Sequence, residues 1–75
     1  MRGDIVQDQI GWFFRDNGDG TMDDLSGNAK VQKVTAEAAK GQPVVLVRNG
    51  KATGSGDVLA SRVAVKLAER YAPVA

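Results

Sequence analysis

Asn49-Gly50 divides the most constrained stretch of this chain, residues 41–71, GQPVVLVRNGKATGSGDVLASRVAVKLAERY. Both residues tolerate positive φ, which the two central positions of a type I′ hairpin require. The flanking VVLVR (44–48) and KAT (51–53) then pair as strands, making a central β-hairpin over 44–53. The second strand is short, polar and bounded by glycine, which suits a sheet edge. A Gly-rich corner leads into a helix predicted over 57–71. Ser55 or Asp57 caps its start, and Pro73 ends it. Leu59, Ala60, Val63, Ala64, Leu67, Ala68 and Tyr71 recur at helical spacing and form one apolar stripe. Val58 and Val65 fall outside that stripe, one heptad apart, among Arg62, Lys66 and Glu69.

The N-terminal half is less determined. Residues 4–15, DIVQDQIGWFFR, fit a helix with Asp4 as N-cap and Gln7 at the capping-box position. They also fit a strand, with Ile10, Trp12 and Phe14 on one face. The helix is preferred, and Gly11 weakens both readings. Either way Trp12, Phe13 and Phe14 are expected to be mostly buried. Residues 16–20, DNGDG, form a turn, closing either a helix C-cap or a hairpin. Residues 28–40, NAKVQKVTAEAAK, predict a second helix, with Val31, Val34 and Ala38 on one side. Ser26 or Asn28 would cap it, and Gly41 with Pro43 beyond would stop it.

Seventy-five residues make one small domain that buries about 60% of its unfolded surface and needs support from elsewhere. The chain holds no Cys and no His. Disulfides and zinc, copper or iron–sulfur sites are excluded, and a partner or self-association is the expected support. The longest run of large apolar residues, Val44–Val47, is too short to span a bilayer. The N-terminus carries acids where a secretory signal would carry an apolar core, so the protein reads as soluble and cytoplasmic. Residues 1–27 hold two Arg against six Asp, a net of −4, and residues 28–75 hold eight Lys or Arg against three acids, a net of +5. Mutual neutralisation of the two halves within the fold is the expected consequence.

Two loops invite a chemical reading. In RDNGDGTMDD (15–24), the register with Gly20 at the sixth position of a calcium loop puts Asp19 at the fifth and Asn17 at the third. It also puts Arg15 where the first carboxylate belongs and Ser26 where the bidentate Glu belongs, so specific calcium binding is not expected. ATGSGDVLA (52–60) resembles the anion-hole motif of the ribokinase-like superfamily, especially its nucleotide-dependent hydrate dehydratases. That resemblance implies Gly54, Ser55 and Gly56 cradling an anion and Asp57 acting as a base. The family motif has one more Gly, and its fold is several times longer than this chain. Residues 53–57 therefore read first as a strand-to-helix corner with an N-cap, and second as a candidate anion-binding corner without chemistry.

Without His or Cys, nucleophilic catalysis lacks its usual base and thiol. The order of helix, glycine, Val-rich hairpin and amphipathic helix over about residues 30–70 is similar to that of small phage head-completion proteins, an order many α+β domains share. The sequence thus predicts one α+β domain over residues 1–75, in α–α–β–β–α order. Its core is expected from Trp12, Phe13, Val34, Val45, Val47, Leu59, Val63, Leu67 and Tyr71. The predicted function is a non-enzymatic binding or assembly module, acting through a protein partner or self-association, with no cofactor, catalytic residue or metal ligand. The expected interface is Val58, Arg62, Val65, Lys66 and Glu69, two apolar residues within a polar rim. The alternative is a small nucleic-acid-binding or regulatory protein with Arg48, Lys51, Arg62, Lys66 and Arg70 on one basic face.

Overall fold

The computed structural model describes residues 1–26 and 31–71. Strand β1 (Ile5–Gln7) is followed by β2 (Phe13–Asp16), β3 (Thr21–Asp24) and β4 (Gln32–Thr35). One 3-10 turn at Ala36–Ala38 precedes β5 (Val44–Arg48), β6 (Lys51–Ala52) and helix α1 (Val58–Arg70). The described strands form one antiparallel sheet in the order β4-β3-β2-β1-β5-β6. The chain is a small α+β domain, but the predicted α–α–β–β–α order is replaced by four strands, a hairpin and one helix.

Residues 4–15 are two strands and not the preferred helix. The Asp8 carboxylate causes the break. Its Oδ1 accepts from the N–H groups of Ile10 (3.1 Å) and Trp12 (2.8 Å). In a helix the Trp12 N–H would go to the Asp8 carbonyl. Gly11 stands at φ +95°, which no right-handed helix allows. The chain therefore turns at 8–12, and β2 returns beside β1 with Val6 opposite Phe14. Trp12 lies at the end of this turn and is 45% exposed, so the expected burial of the largest side chain does not occur.

The helix predicted over 28–40 is likewise absent from its described part, and residues 28–30 lie outside the described residues. Strand pairing overrides the local preference: Val34 sits opposite Met22, and Lys33 opposite Asp23. Val31 and Val34 pack into different clusters on the two faces of the sheet. Residues three apart lie on opposite faces of a strand, whereas a helix would put them on one side. The Ala-rich run after Thr35 achieves one 3-10 turn. With a strand in this place, the similarity of element order to phage head-completion proteins ends. DNGDG closes the β2–β3 hairpin, with Gly18 and Gly20 at positive φ.

The connection from β4 at one edge to β5 beside β1 crosses one face of the sheet. There Ala39 packs on Val6, Phe14 and Met22. The Gln9 N–H donates to the Lys40 carbonyl (2.9 Å), and the Lys40 N–H to Asp8 Oδ2 (3.0 Å). Asp8 therefore fixes both its own turn and the crossover.

On the other face α1 lies against β1, β5 and β6. Ile5, Leu25, Leu46 and Val47 form the floor, and Ala60 and Ala64 are the helix residues buried on it. Leu46 and Val47 are adjacent yet both join this cluster. The β1–β5 register explains it: Ile5 pairs with Val47 and Val6 with Val45, leaving Leu46 as an extra bulged residue. The expected core is thus partly displaced. Val47 is buried, and Phe13, Val34, Val45, Leu67 and Tyr71 pack around the two clusters, but Leu59 (72% exposed) and Val63 (44%) face solvent. Ala60 and Ala64 take the buried positions of the first two helical turns, so Leu59 and Val63 turn outward while Leu67 and Tyr71 stay against the cluster.

Candidate binding groove

The β5–β6 hairpin turns at Asn49 (φ +54°) and Gly50 (φ +78°), both positive as a type I′ turn requires. Arg48 pairs with Lys51 and Val47 with Ala52. The Thr53 N–H then donates to the Leu46 carbonyl (3.0 Å). Hydrogen-bonded pairs alternate with non-bonded ones in an antiparallel ladder. The N–H and C=O of Ala52 therefore point away from β5, at the open edge of the sheet.

The corner that follows is tightly built. Thr53 Oγ1 donates to the Val45 carbonyl (2.7 Å) and accepts from the Ser55 N–H (3.2 Å), and Ser61 Oγ donates to the Ser55 carbonyl (3.3 Å). Gly56, at φ +72°, presses on Leu46, and a Cβ there would meet Leu46 Cδ2 at 2.6 Å. Asp57 Oδ1 accepts from the Ala60 N–H (2.7 Å) and is the N-cap of α1. Of the candidate anion-binding residues Gly54, Ser55, Gly56 and Asp57, the last brings its own carboxylate to the helix N-terminus, where an incoming anion would sit.

The flank of α1 beside β6 forms one wall of a groove, and Ala52, Gly54 and Gly56 form the other. All five residues of the expected interface, Val58, Arg62, Val65, Lys66 and Glu69, line it. Their environments differ. Val58 is 67% exposed. Val65 is half-buried and packs on the Ile5/Leu46/Val47 cluster, so it lines the groove floor and does not stand in solvent. Ala52 and Ser61 join the lining only because the fold lays β6 alongside the helix, and Gly54, expected in an anion-binding corner, lines this groove instead. On the opposite flank, Leu59 and Val63 stand with Gln7 and Asp57 around a shallower apolar surface.

The expected basic face is divided. Arg48 is drawn to Asp4, with Nη2 2.7 Å from Oδ2, and this raises the pKa of the guanidinium above its ordinary value. Arg70 lies over the Tyr71 ring, 5.3 Å from its centre. Arg62 and Lys66 line the groove, and neither makes an ion pair within 4 Å among the described residues. The acidic half is engaged within the fold: Asp23 pairs with Arg15 at 2.7 Å, and Asp19 caps the β2–β3 turn through Thr21.

Two buried carboxylates escaped the sequence reading. Asp4 is held below its ordinary pKa by the hydrogen bond from Arg48, which outweighs the opposing effect of burial. Burial pushes the Asp8 carboxyl up, but the N–H groups of Lys40, Trp12 and Ile10 together bring it below the ordinary value. The available signal was their placement, one aspartate on each side of the apolar pair Ile5-Val6.

Among the described residues there is no group of three or more His, Cys, Asp or Glu that could hold a metal ion. Among them, too, no helix is long and apolar enough to cross a membrane. Comparison of the chain with protein-family models, with curated proteins and with solved structures finds no match.

Proposed function

We propose that this chain is a non-enzymatic binding module whose protein partner seats in the groove between β6 and α1. One observation carries the reading: Val58, which lines this groove with the half-buried Val65, is 67% exposed among Arg62, Lys66 and Glu69. A surface helix normally turns its larger apolar residues to the core. Burying one such side chain is worth about 1.5–3 kcal/mol, and this helix leaves that contribution unused until something covers it. Apolar residues within a polar rim are the anatomy of a docking surface. A protein partner suits the groove better than a nucleic acid, because Arg48 is engaged by Asp4 and the cations left at the groove flank valines. A cytoplasmic location, expected from the sequence, belongs to the same proposal.

The test is selection of a random displayed peptide library on the immobilised protein. Ligands should be enriched that lose binding to Val58→Asp, a change at an exposed residue that leaves the fold intact. Enrichment of no Val58-dependent ligand would overturn the reading. The exposed Leu59–Val63 pair favours self-association as a second form of it. Sedimentation over a hundredfold range of concentration decides that form: a monomer throughout excludes it, and a dimer weakened by Leu59→Asp supports it.

A further inference from the structure

From the open edge of β6 and the flank of α1 that lines the groove beside it, we infer that the groove takes an extended acidic peptide, added to the sheet as a seventh strand. The inference rests on the proposed binding role of this groove and names its occupant.

Three features converge on a strand. First, the Ala52 N–H and C=O point out of the sheet edge, as the alternation between the Arg48–Lys51 and Leu46–Thr53 pairs dictates. Ala52 and Gly54, which border the groove, have at most a methyl group to obstruct an approaching backbone. Second, β6 is the edge strand on this side of the sheet, and α1 packs against it. Val58 and Val65 line the groove beside that edge, and a next strand would add about 4.8 Å farther out. Third, the lining flank of α1 runs from Val58 to Glu69, about 16 Å at 1.5 Å per residue, a length that about five residues of a strand laid along the helix would span. Addition of a strand to an open edge beside a helix is an established mode of peptide recognition, with main-chain bonds giving affinity and alternate side chains giving specificity.

Charge selects the peptide. Arg62 and Lys66 are four residues apart, so about 6 Å apart along the helix. Alternate residues of a strand are about 6.6 Å apart and share a face. Two carboxylates at alternate positions therefore meet the two cations, and their methylene stems lie over Val58 and Val65. Glu69 is the one acid on this wall and marks the end where a peptide carboxylate is disfavoured.

The experiment is a titration of the isotope-labelled full chain, followed by amide chemical shifts, with a capped heptapeptide alternating glutamate and valine. Two companion peptides carry lysine for glutamate, or a methyl group on each second backbone nitrogen. The inference expects shifts at Ala52 and Gly54 and along Val58–Glu69, with both companions at least about tenfold weaker. It also expects the double variant Arg62→Glu/Lys66→Glu to reverse the preference in favour of the lysine peptide. Equal binding of the N-methylated peptide would overturn strand addition while leaving the groove a binding site. Equal binding of the lysine peptide would overturn the acidic preference. No shift at the groove with any peptide would overturn the inference, and the library selection, which presupposes neither acid nor strand, judges the binding role separately.

Discussion

Arg48 Nη2 lies 2.7 Å from Oδ2 of Asp4, a residue 44 positions earlier, and Nε lies 3.2 Å from Oδ1. The pair ties the far end of β5 to the entrance of β1 and, among the described residues, is the one ion pair within 4 Å between the acidic and basic halves of the chain. Asp4 is 2% exposed, and its charge is held first by Arg48 and then by the Met1 ammonium, 3.4 Å from Oδ2.

The pair predicts acid lability of a definite sign. The folded pKa values of Asp4 and Asp8 are depressed. Their contribution to stability is complete above the unfolded value of about 3.9 and is lost as pH falls through the lower folded values. Urea unfolding midpoints should be level from pH 7 to about 5 and fall steeply below about 4. Arg48→Met should lower the midpoint at pH 7 and flatten the acid limb. An unchanged limb would assign the lability to other carboxylates.

Asp8 predicts a larger loss at a single site. Asp8→Ala leaves the N–H groups of Ile10, Trp12 and Lys40 without their acceptor. At about 1 kcal/mol or more for each stranded donor, the domain should lose about 2–3 kcal/mol in urea titrations. A loss under about 0.5 kcal/mol would show that water replaces the carboxylate.

The rotation of α1 is tested by two opposite substitutions. Ala64→Leu adds volume under a fully buried position and should cost about 1–3 kcal/mol. Leu59→Ala removes an exposed side chain and should change stability by less than about 0.5 kcal/mol. The helix orientation expected from the periodicity buries Leu59 as well as Ala64, and Leu59→Ala would then cost about 2–5 kcal/mol, so thermal melts of this variant separate the two orientations.

Gly50→Val should destabilise the domain by at least about 1 kcal/mol. Nothing lies within 4 Å of a Cβ built there, so the whole cost is backbone strain at φ +78°. Gly50→Asn, which tolerates this region, should cost distinctly less. Equal losses in chemical denaturation would mean that the strain is not at this φ.

The Asp16–Asp24 loop is predicted to show no specific response to calcium. Asp16 Oδ1 accepts the Gly18 N–H, Asp19 Oδ1 the Thr21 N–H, and Asp23 is divided between Arg15 and Asn17. Melts in millimolar calcium and in EDTA should coincide. A rise of several degrees with calcium and not with magnesium would show a site that reorganises these bonds.

By itself the sequence determined the parts governed by near neighbours. Asn49-Gly50 sets its hairpin because a two-residue turn selects positive φ, and Asp57 caps α1 through an N–H three residues on. The five residues set apart beside the apolar stripe do come together on one groove wall, since helical spacing alone puts them on one flank. Tertiary structure decided the rest. Residues 5–7 and 13–16 fit two periodicities, and the choice fell to an Asp8 carboxylate that also binds the Lys40 N–H, 32 residues away. Residues 32–35 became a strand because β3 offered an edge, a long-range gain that outweighs the few tenths of a kcal/mol per residue by which Gln and Lys favour a helix. The periodicity of α1 contains both the Leu59–Val63 line and the Ala60–Ala64 line. The floor of Leu46 and Val47 buries Ala60 and Ala64 and leaves Leu59 and Val63 outside, because a packed interior fixes which side of the helix meets the sheet.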